Sequence, residues 1–407
     1  MKHSIGIYIH IPFCVRKCRY CDFLSAPADD RTRHRYAIAL CNEMRTVSDR
    51  FADQCVDTVF LGGGTPTTLD PADLYMIMEC LRESFDVLPD AEITMEMNPG
   101  TYSGEMLAFV RDHLTRISIG LQSADNGELR TLGRIHTYEE FENCYLALRR
   151  AGAANINIDL MSALPGQSVA NWEDTLRKVT ALGPEHISAY SLIIEEGTPF
   201  FDLYESGELT LPDEEKEREM YHLAKRILAE CGYERYEISN YAKPGCECRH
   251  NIRYWRRDPY LGFGIGAASM YGELKHPGGA ASMTIPDRLG EFSGQYRRTN
   301  GAELGKYLAC YGAGEPGAEL IRCDGSVMEE LSLKEAVEEF MFLGLRMTEG
   351  VSSGTFCADF GMTIDAVYGD VIEKFIDNGL LERRGDRIAL TERGLDLGNV
   401  VMGEFLL

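Results

Sequence analysis

Short stretches in which apolar and polar residues alternate recur along the first half of the chain. In the first stretch, four isoleucines alternate along positions 5–11, with Tyr8 and His10 between them. Such alternation predicts a strand that buries one face. The same pattern predicts six strands, at positions 5–11, 56–61, 93–97, 117–121, 156–160 and 187–193.

Stretches with helical periodicity separate these strands. They cover positions 33–51, 72–85, 104–113, 138–151, 171–182 and 214–231. A strand followed by a helix, six times over, predicts a parallel sheet with right-handed crossovers. Helices must cover the apolar face of such a sheet. The sequence therefore predicts an α/β fold.

The polar faces of the strands bear on the shape of this sheet. Tyr8, Glu96, Gln122 and Asp159 all point away from the helices if the apolar faces meet them. A closed or partly closed barrel would gather these side chains inside, near the carboxyl ends of the strands, where barrel enzymes carry their chemistry. The alternative is a flat, doubly wound sheet in which the same residues cap loops. The pattern favours the partial barrel.

The second half of the chain is organised differently. Positions 273–327 are rich in glycine and weakly periodic, which indicates a connecting region with extra strands. Helical patterns follow at positions 331–347, 353–360 and 364–378, then a hairpin at 380–391 and a last helix at 392–405. Helices followed by a hairpin are typical of a winged-helix module. We predict a barrel over 1–235, an extension over 236–325 and a C-terminal α+β domain over 326–407.

Charge limits the partners of this chain. Its 407 residues carry a formal net charge of −23, which opposes binding to nucleic acid or anionic lipid. The C-terminal module has 7 basic and 16 acidic residues, and the helix that would read DNA is acidic. Phosphate contacts need Lys and Arg there. We therefore expect that no nucleic acid is bound.

Neither a signal-peptide pattern nor an apolar stretch of about 20 residues is found. This predicts a cytoplasmic protein, in which the thirteen cysteines stay mostly reduced.

Three of these cysteines form a tight cluster. Cys14, Cys18 and Cys21 follow the first strand with C-x3-C-x2-C spacing. A structural zinc site wants four protein ligands, whereas three cysteines on a [4Fe–4S] cluster leave one iron open to a small molecule. The residues favour the open cluster over zinc, with Cys246 and Cys248 as remote candidates for a fourth ligand.

The cluster and its surroundings resemble a known family. The segment Tyr8-Ile9-His10-Ile11-Pro12-Phe13-Cys14, the cysteine spacing and Gly62-Gly63-Gly64-Thr65-Pro66 resemble the radical S-adenosylmethionine (radical SAM) superfamily. Within it they resemble the branch of oxygen-independent coproporphyrinogen oxidase, HemN. This resemblance implies a partial (β/α)6 TIM-like barrel with a C-terminal winged-helix-like (HemN C-terminal) domain. It also implies a [4Fe–4S] cluster whose open iron chelates SAM.

The resemblance also implies which residues surround SAM. Gly62, Gly63, Gly64 and Thr65 match the segment that binds the methionine moiety, and Glu96 matches a carboxylate on the ribose. Tyr8 and Tyr20 match positions that line the nucleoside and the cluster. Further matches are Gln122, Arg134 and Asp159, which in the oxidase surround a second SAM molecule, and the apolar contacts Ile193 and Ala268.

Two features separate the oxidase from its relatives. The oxidase pattern continues with a fourth cysteine where this chain has Phe23, and it has a longer N-terminal extension than the seven residues before Tyr8. Both differences favour the heme chaperones of the HemW type over the oxidase.

A third feature is a motif. His250-Asn251-Ile252-Arg253-Tyr254-Trp255 matches the H-N-x-x-Y-W motif of those chaperones. The resemblance implies heme bound near His250, Asn251, Tyr254 and Trp255, because an imidazole is a good axial ligand and aromatic rings pack on porphyrin. Many relatives have Gly-Ala-His where this chain has Gly266-Ala267-Ala268, so no second histidine is assigned.

Three functions stay open at this point. The first is a chaperone that binds heme, the cluster and SAM, receives electrons from a donor and delivers heme to an acceptor protein, such as a membrane-associated respiratory enzyme. The second is oxygen-independent coproporphyrinogen III oxidation. The third is a zinc or electron-transfer module without catalysis.

Overall fold

Strands and helices alternate through the first part of the chain. A computed structural model describes residues 4–274, 289–312 and 323–407. The elements are β1 (Ser4–Ile11), α1 (Asp30–Ser48), β2 (Cys55–Gly63), α2 (Pro71–Ser84), β3 (Asp86–Met97), α3 (Gly104–His113), β4 (Arg116–Gln122), α4 (Asn126–Leu132), α5 (Tyr138–Ala151), β5 (Ile156–Ser162), α6 (Val169–Leu182), β6 (His186–Ser191), α7 (Pro199–Glu205) and α8 (Glu214–Glu230). The six predicted strands and six predicted helices are confirmed. The short helices α4 and α7 were not predicted.

Local sequence sets the ends of these helices. Asp70 accepts a hydrogen bond from the Ala72 amide and Pro71 occupies the first turn of α2. Thr137 and Glu140 form a capping box at the start of α5, and Gly152 ends that helix in a left-handed conformation.

Further elements extend the same sheet. They are β7 (Glu234–Arg235), β8 (Asn240–Ala242), α9 (Arg249–Trp255), β9 (Tyr260–Phe263), β10 (Ala268–Gly272), β11 (Phe292–Thr299), α10 (Leu304–Tyr311) and β12 (Val327–Ser332). The strand order is linear, β12-β11-β10-β9-β1-β2-β3-β4-β5-β6-β8-β7. The barrel is therefore open, which confirms the partial barrel. The predicted connecting region, 273–327, lies partly outside the described residues.

The strand register confirms which side chains point inward. Tyr8 of β1 lies beside Phe60 of β2, and Phe60 lies beside Thr94 of β3. The alternate positions form the outer face, where Ile7, Val59 and their neighbours are buried against the helices in one large apolar core. The barrel interior is thus lined by the polar faces that the sequence alternation indicates.

The C-terminal residues form a second core. Its elements are α11 (Leu333–Gly344), β13 (Val351–Ser352), α12 (Ser353–Phe360), α13 (Ile364–Asp377), β14 (Leu381–Arg384), β15 (Arg387–Leu390), α14 (Glu392–Asp396) and α15 (Gly398–Gly403). Three helices and the sheet β13-β15-β14 give the winged-helix arrangement. The predicted last helix is instead two short helices. Gly394 packs so closely on the chain that a Cβ atom there would lie 2.0 Å from the Leu380 carbonyl oxygen.

Strand pairing in the large sheet runs across the predicted domain boundaries. Strand β12 pairs with β11 in the large sheet, and the second core begins at Leu333. Elements of the expected extension, 236–325, pair with barrel strands on both sides, since β8 pairs with β6 and β9 with β1. They continue the barrel sheet in the structure.

Two general expectations can be compared with the structure. No helix within the described ranges is long and apolar enough to cross a membrane. Cys310 and Cys323 are joined in a disulfide, and the other eleven cysteines, all among the described residues, form none.

Candidate functional site

The three clustered cysteines lie in the loop between β1 and α1, at the carboxyl end of β1. Backbone hydrogen bonds hold this loop: the Ala26 amide donates to the Pro12 carbonyl over 2.9 Å, and the Arg19 amide donates to the Leu132 carbonyl over 3.0 Å. All three cysteines are half-buried. The loop therefore presents its thiols at the open end of the barrel.

Polar side chains lie against these sulfur atoms. The Cys14 Sγ atom is 3.6 Å from Thr65 Oγ1, and Arg134 Nη1 donates to Cys18 Sγ over 3.6 Å. The Nε atom of Arg134 is buried without a hydrogen-bond partner. Three thiols on one loop, an adjacent guanidinium and an unpaired buried donor fit a cluster that leaves one iron open to a ligand bearing a carboxylate.

Among the described residues the structure contains no preformed site for a single metal ion at these cysteines. Across the three described ranges, no group of three or more His, Cys, Asp or Glu side chains gathers closely enough to hold one. In a [4Fe–4S] cluster each thiolate binds a different iron, so the thiolates need not converge on one point.

The two remote cysteines lie elsewhere. Cys246 packs against the apolar cluster of Tyr236, Ala242 and Met347. Cys248 is buried beside Glu92, near the amino ends of the barrel strands. The idea that Cys248 is a fourth ligand is therefore wrong for this structure.

The glycine run after β2 lets the chain pass close to its neighbours. A Cβ atom at Gly64 would lie 2.6 Å from the Phe13 carbonyl oxygen. Gly63 has φ +101°, and a Cβ atom there would lie 2.2 Å from the ring of His10. Only glycine meets both conditions at position 63. The run thus brings backbone amides beside the cysteine loop, as the Thr65 amide shows by donating to Phe13 over 2.7 Å.

Glu96 lies next to this run on β3. Its carboxylate accepts a hydrogen bond from the Gly63 amide over 3.0 Å. Burial, with a smaller effect from the nearby Asp159, raises the pKa of Glu96 to about 8. A further hydrogen-bond donor would stabilise this buried carboxyl group, and a ribose hydroxyl can be that donor.

Arg134 joins several predicted residues. Its Nη2 atom donates to the Asn98 side chain and to the Gly120 carbonyl. Burial raises the pKa of the adjacent Tyr20, while the Arg134 charge opposes that rise. Gln122, at the end of β4, has φ +77°, a strained conformation of the kind that clusters at functional sites.

The remaining residues predicted to surround SAM are less closely connected. Asp159 accepts hydrogen bonds from Ser118 over 3.0 Å and from Asn157 over 2.7 Å inside the barrel. Ile193 is 67% exposed after β6. Ala268 lies in β10, which is separated from β1 by β9, and it contacts the backbone of Gly262 in β9. The structure thus brings Glu96, Arg134 and Asp159 into the barrel mouth, but it does not connect Ala268 to them.

The helix of the H-N-x-x-Y-W motif, α9, lies at the other end of the barrel. The carboxylate of Glu92 caps it, accepting hydrogen bonds from the Arg249 and His250 amides, each over 3.0 Å. Arg253 forms an ion pair with Asp57 at the start of β2. Helix α9 therefore closes the amino end of the barrel beneath β1, β2 and β3.

His250 is fully buried under the barrel interior. Its Nδ1 atom is 3.0 Å from Thr58 Oγ1, and its Nε2 atom is 2.9 Å from the Tyr254 hydroxyl. Burial lowers its pKa to about 3, which keeps the ring neutral. Both ring nitrogens are occupied, so iron coordination would require His250 to give up one of these bonds. Its role as a heme ligand stays a prediction.

The other motif residues lie nearer the surface. Tyr254 borders a cavity of about 360 Å³ whose walls include Arg257, Arg297 and Phe342. Trp255 borders a second cavity, of about 280 Å³, between α9 and the C-terminal unit. The Arg346 guanidinium lies over the Trp255 ring at 4.4 Å, and the indole nitrogen is buried without a partner. Asn251 is half-buried on the same helix.

Two residues at the barrel mouth were missed as site residues. Asn98 donates to Thr65 over 2.6 Å and accepts from Arg134, which links the glycine run to the cysteine loop. His10 joins the Tyr8 hydroxyl, at 3.0 Å, to the Leu24 carbonyl of the cysteine loop, at 2.9 Å. Both lie on the polar faces that the alternation identifies, and this alternation was the signal by which they could have been found.

Two family models match this chain. The radical SAM superfamily matches residues 8–179, and the HemN C-terminal domain matches residues 331–397. The fold and the site thus define a radical SAM protein, a class that carries a [4Fe–4S] cluster and SAM.

Full-length relatives identify the family within this class. The chain is 33% identical to heme chaperone HemW of Bacillus subtilis (strain 168) over 401 residues, which cover 98% of both chains. It is 32% identical to heme chaperone HemW of Escherichia coli (strain K12) over 409 residues, covering 99% of this chain and 98% of that one. The chain belongs to the HemW family.

A solved structure supports the fold. Coproporphyrinogen III oxidase (HemN) from Escherichia coli, a radical SAM enzyme, superposes with a TM-score of 0.80 at 20% identity. The match covers 100% of this chain and 90% of that one. It confirms the barrel with its C-terminal domain.

Proposed function

We propose that this protein is a heme chaperone that binds a [4Fe–4S] cluster, SAM and heme and delivers heme to an acceptor protein. The observation that carries this proposal is the full-length similarity to heme chaperones at 32–33% identity, together with an intact H-N-x-x-Y-W helix. The acceptor is a protein that requires heme, membrane-associated respiratory enzymes among them. The protein works in the cytoplasm and takes electrons from a separate donor.

The residues at the barrel mouth divide the work of holding the cofactors. Cys14, Cys18 and Cys21 hold the cluster, which supplies one electron at a time when it is bound. The amides of the glycine run and Glu96 hold SAM at its two ends. Tyr20 packs on the apolar cluster around Leu132 and Phe200, which keeps that side of the mouth dry.

Heme would be held at the opposite end, around α9. The cavity beside Tyr254 offers aromatic walls for a porphyrin face and two arginines for its propionates. Glu339 engages both arginines, so a propionate would have to compete with that carboxylate. Because Tyr254 separates His250 from this cavity, a rotation of Tyr254 would expose the imidazole to it.

An anaerobic heme titration tests the proposal. The cluster-loaded protein is titrated with heme beside a sample from which the cluster has been removed, and each is mixed with a heme-free acceptor. We expect stoichiometric heme binding and transfer to the acceptor. Absence of heme binding in both samples would refute the chaperone function.

A parallel assay separates chaperone from oxidase. The same protein is incubated anaerobically with coproporphyrinogen III, SAM and a reductant. We expect no protoporphyrinogen, and its formation by successive turnovers would assign the chain to the oxidase reaction instead.

A further inference from the structure

A column of rings runs through the barrel from α9 to the cysteine loop. His250 packs on Phe60, with the ring centroids 5.4 Å apart and the planes at 28°. Phe60 packs in turn on Tyr8, with centroids 6.3 Å apart and the planes again at 28°. His10 continues the column, because it bonds both the Tyr8 hydroxyl and the Leu24 carbonyl. The motif helix is therefore in mechanical contact with the cluster end of the barrel.

Phe60 is the central member of this column. A Cβ atom at Gly62 would lie 2.8 Å from Phe60 Cε1, so the ring edge lies directly against the glycine run. The same Cβ atom would lie 3.0 Å from the Glu96 carboxyl. Phe60 thus touches the region where Gly62, Glu96 and Tyr8 meet, which is the floor of the SAM pocket.

His250 is fixed in place from three sides. Thr58 and Tyr254 bond its two nitrogens, and Glu92 holds its backbone amide at the first turn of α9. The Tyr254 ring also packs edge-on against the imidazole, with centroids 5.0 Å apart. A neutral, fully paired and buried imidazole is suited to supporting a neighbouring ring.

We propose that His250 is a positioning residue of the SAM pocket, which supports Phe60 and, through it, Tyr8 and Glu96. This inference rests on the placement of SAM in the proposed function. It has a consequence for heme. If the imidazole swings out to bind iron, Phe60 loses its support, so heme held by His250 and SAM held at the barrel mouth weaken each other reciprocally.

Four variants of the full chain test this role. His250→Ala removes the ring, and His250→Phe keeps a ring but no nitrogen. Phe60→Leu breaks the column while the His250 side chain itself stays unchanged. Phe109→Leu is the matched control, since Phe109 is fully buried on the outer helix α3. Each is loaded with its cluster under anaerobic conditions. SAM affinity, the change in the electron paramagnetic resonance signal of the reduced cluster on adding SAM, and heme affinity are then measured.

We expect His250→Ala and Phe60→Leu to weaken SAM binding about 5-fold or more and to alter the cluster signal with SAM. His250→Phe should stay within about 2-fold of the wild type, because a stacked ring is retained. The control should bind SAM normally. The proposal would be overturned by wild-type SAM affinity in His250→Ala, or by His250→Phe binding SAM as weakly as His250→Ala.

Two other causes, unfolding of a variant and failure of the proposed heme binding, are distinguished from a loss of SAM affinity. His250→Phe leaves the Thr58 and Tyr254 hydroxyls unpaired, so it could unfold. Phe60→Leu then decides the question, and normal SAM affinity in that variant refutes the column. Heme affinity of the wild type is recorded independently. A wild type that binds SAM but no heme refutes the chaperone function without touching the role of His250.

Discussion

The carboxyl group of Glu96 makes the stability of the fold depend on pH. Its pKa of about 8 lies above the usual 4.5, so the folded protein keeps a proton that the unfolded chain loses. The free energy of unfolding therefore falls as the pH rises from about 4.5 to 8. The groups that affect Glu96 electrostatically are Asp159, which raises the pKa further, and Arg116, which lowers it.

Glu96→Gln should remove this pH-dependent loss. We expect the variant to unfold like the wild type at pH 5 and to be more stable than it at pH 8, by a few kcal/mol. SAM binding at pH 8 should weaken because the ionised acceptor is gone. Urea unfolding at both pH values measures the first effect, and equilibrium binding measures the second. The control is Glu208→Gln on the surface, which should change neither. An identical pH dependence in wild type and Glu96→Gln would contradict the buried, protonated carboxyl.

Two glycines of the same backbone conformation allow the close approach at the glycine run to be tested. Gly63 and Gly152 have φ +101° and +100°, but a Cβ atom at Gly152 would meet nothing within 4 Å. Gly152→Ala should cost about 1–2 kcal/mol through backbone strain alone. Gly63→Ala should cost at least about 1 kcal/mol more, since its Cβ atom would overlap the His10 ring, and it should abolish SAM binding. If both variants lose the same free energy of unfolding and Gly63→Ala still binds SAM, the glycine run does not approach His10 of β1 as closely as the structure shows.

At the scale of elements, the strands could be predicted and helix α9 could not. Alternation along each strand identifies its buried face, which is why the inward positions of Tyr8, Glu96 and Asp159 were predictable. The seven residues of α9 have no apolar stripe, and their helix depends on a cap from Glu92, far away in the sequence. The motif resemblance located His250 in the sequence. Its burial depends on Thr58 and Phe60 of another element, which no local pattern shows.

The cap on α9 is testable by itself. Glu92→Gln keeps the shape of the side chain but removes the charge that faces two helix amides. We expect a loss of about 1–2 kcal/mol in stability and faster amide hydrogen exchange over residues 249–255. The control is Asp213→Asn, which changes an exposed cap of α8 and should speed exchange only there. Exchange in α9 that matches the wild type would mean that Glu92 does not hold the helix.

At the scale of the whole molecule, ion pairs of very different burial join the barrel to the C-terminal unit. Arg257 and Arg297 of the barrel sheet region both bond Glu339 of α11, over 2.9 and 2.6 Å, with Arg257 and Glu339 at most 10% exposed. Lys225 and Arg235 bond Glu392 of α14, whose side chain is 69% exposed. The sequence indicates two units by their changing periodicity. It gives no sign of which charges meet between them, because those partners lie far apart in the chain.

The buried pair should matter far more than the exposed one. Glu339→Gln leaves Arg257 buried without its counter-charge, for which we expect a loss of about 3–5 kcal/mol in the free energy of unfolding. Glu392→Gln removes an equal charge at the surface, where solvent screens the interaction, and should cost less than about 1 kcal/mol. Urea unfolding of both variants, followed by separate probes in the barrel and in the C-terminal unit, measures the difference. Because Glu339 also borders the cavity proposed for heme, Glu339→Gln frees two arginines for a propionate. We therefore expect heme affinity to rise while the free energy of unfolding falls. If heme does not bind in this cavity, Glu339→Gln should lower stability without raising heme affinity.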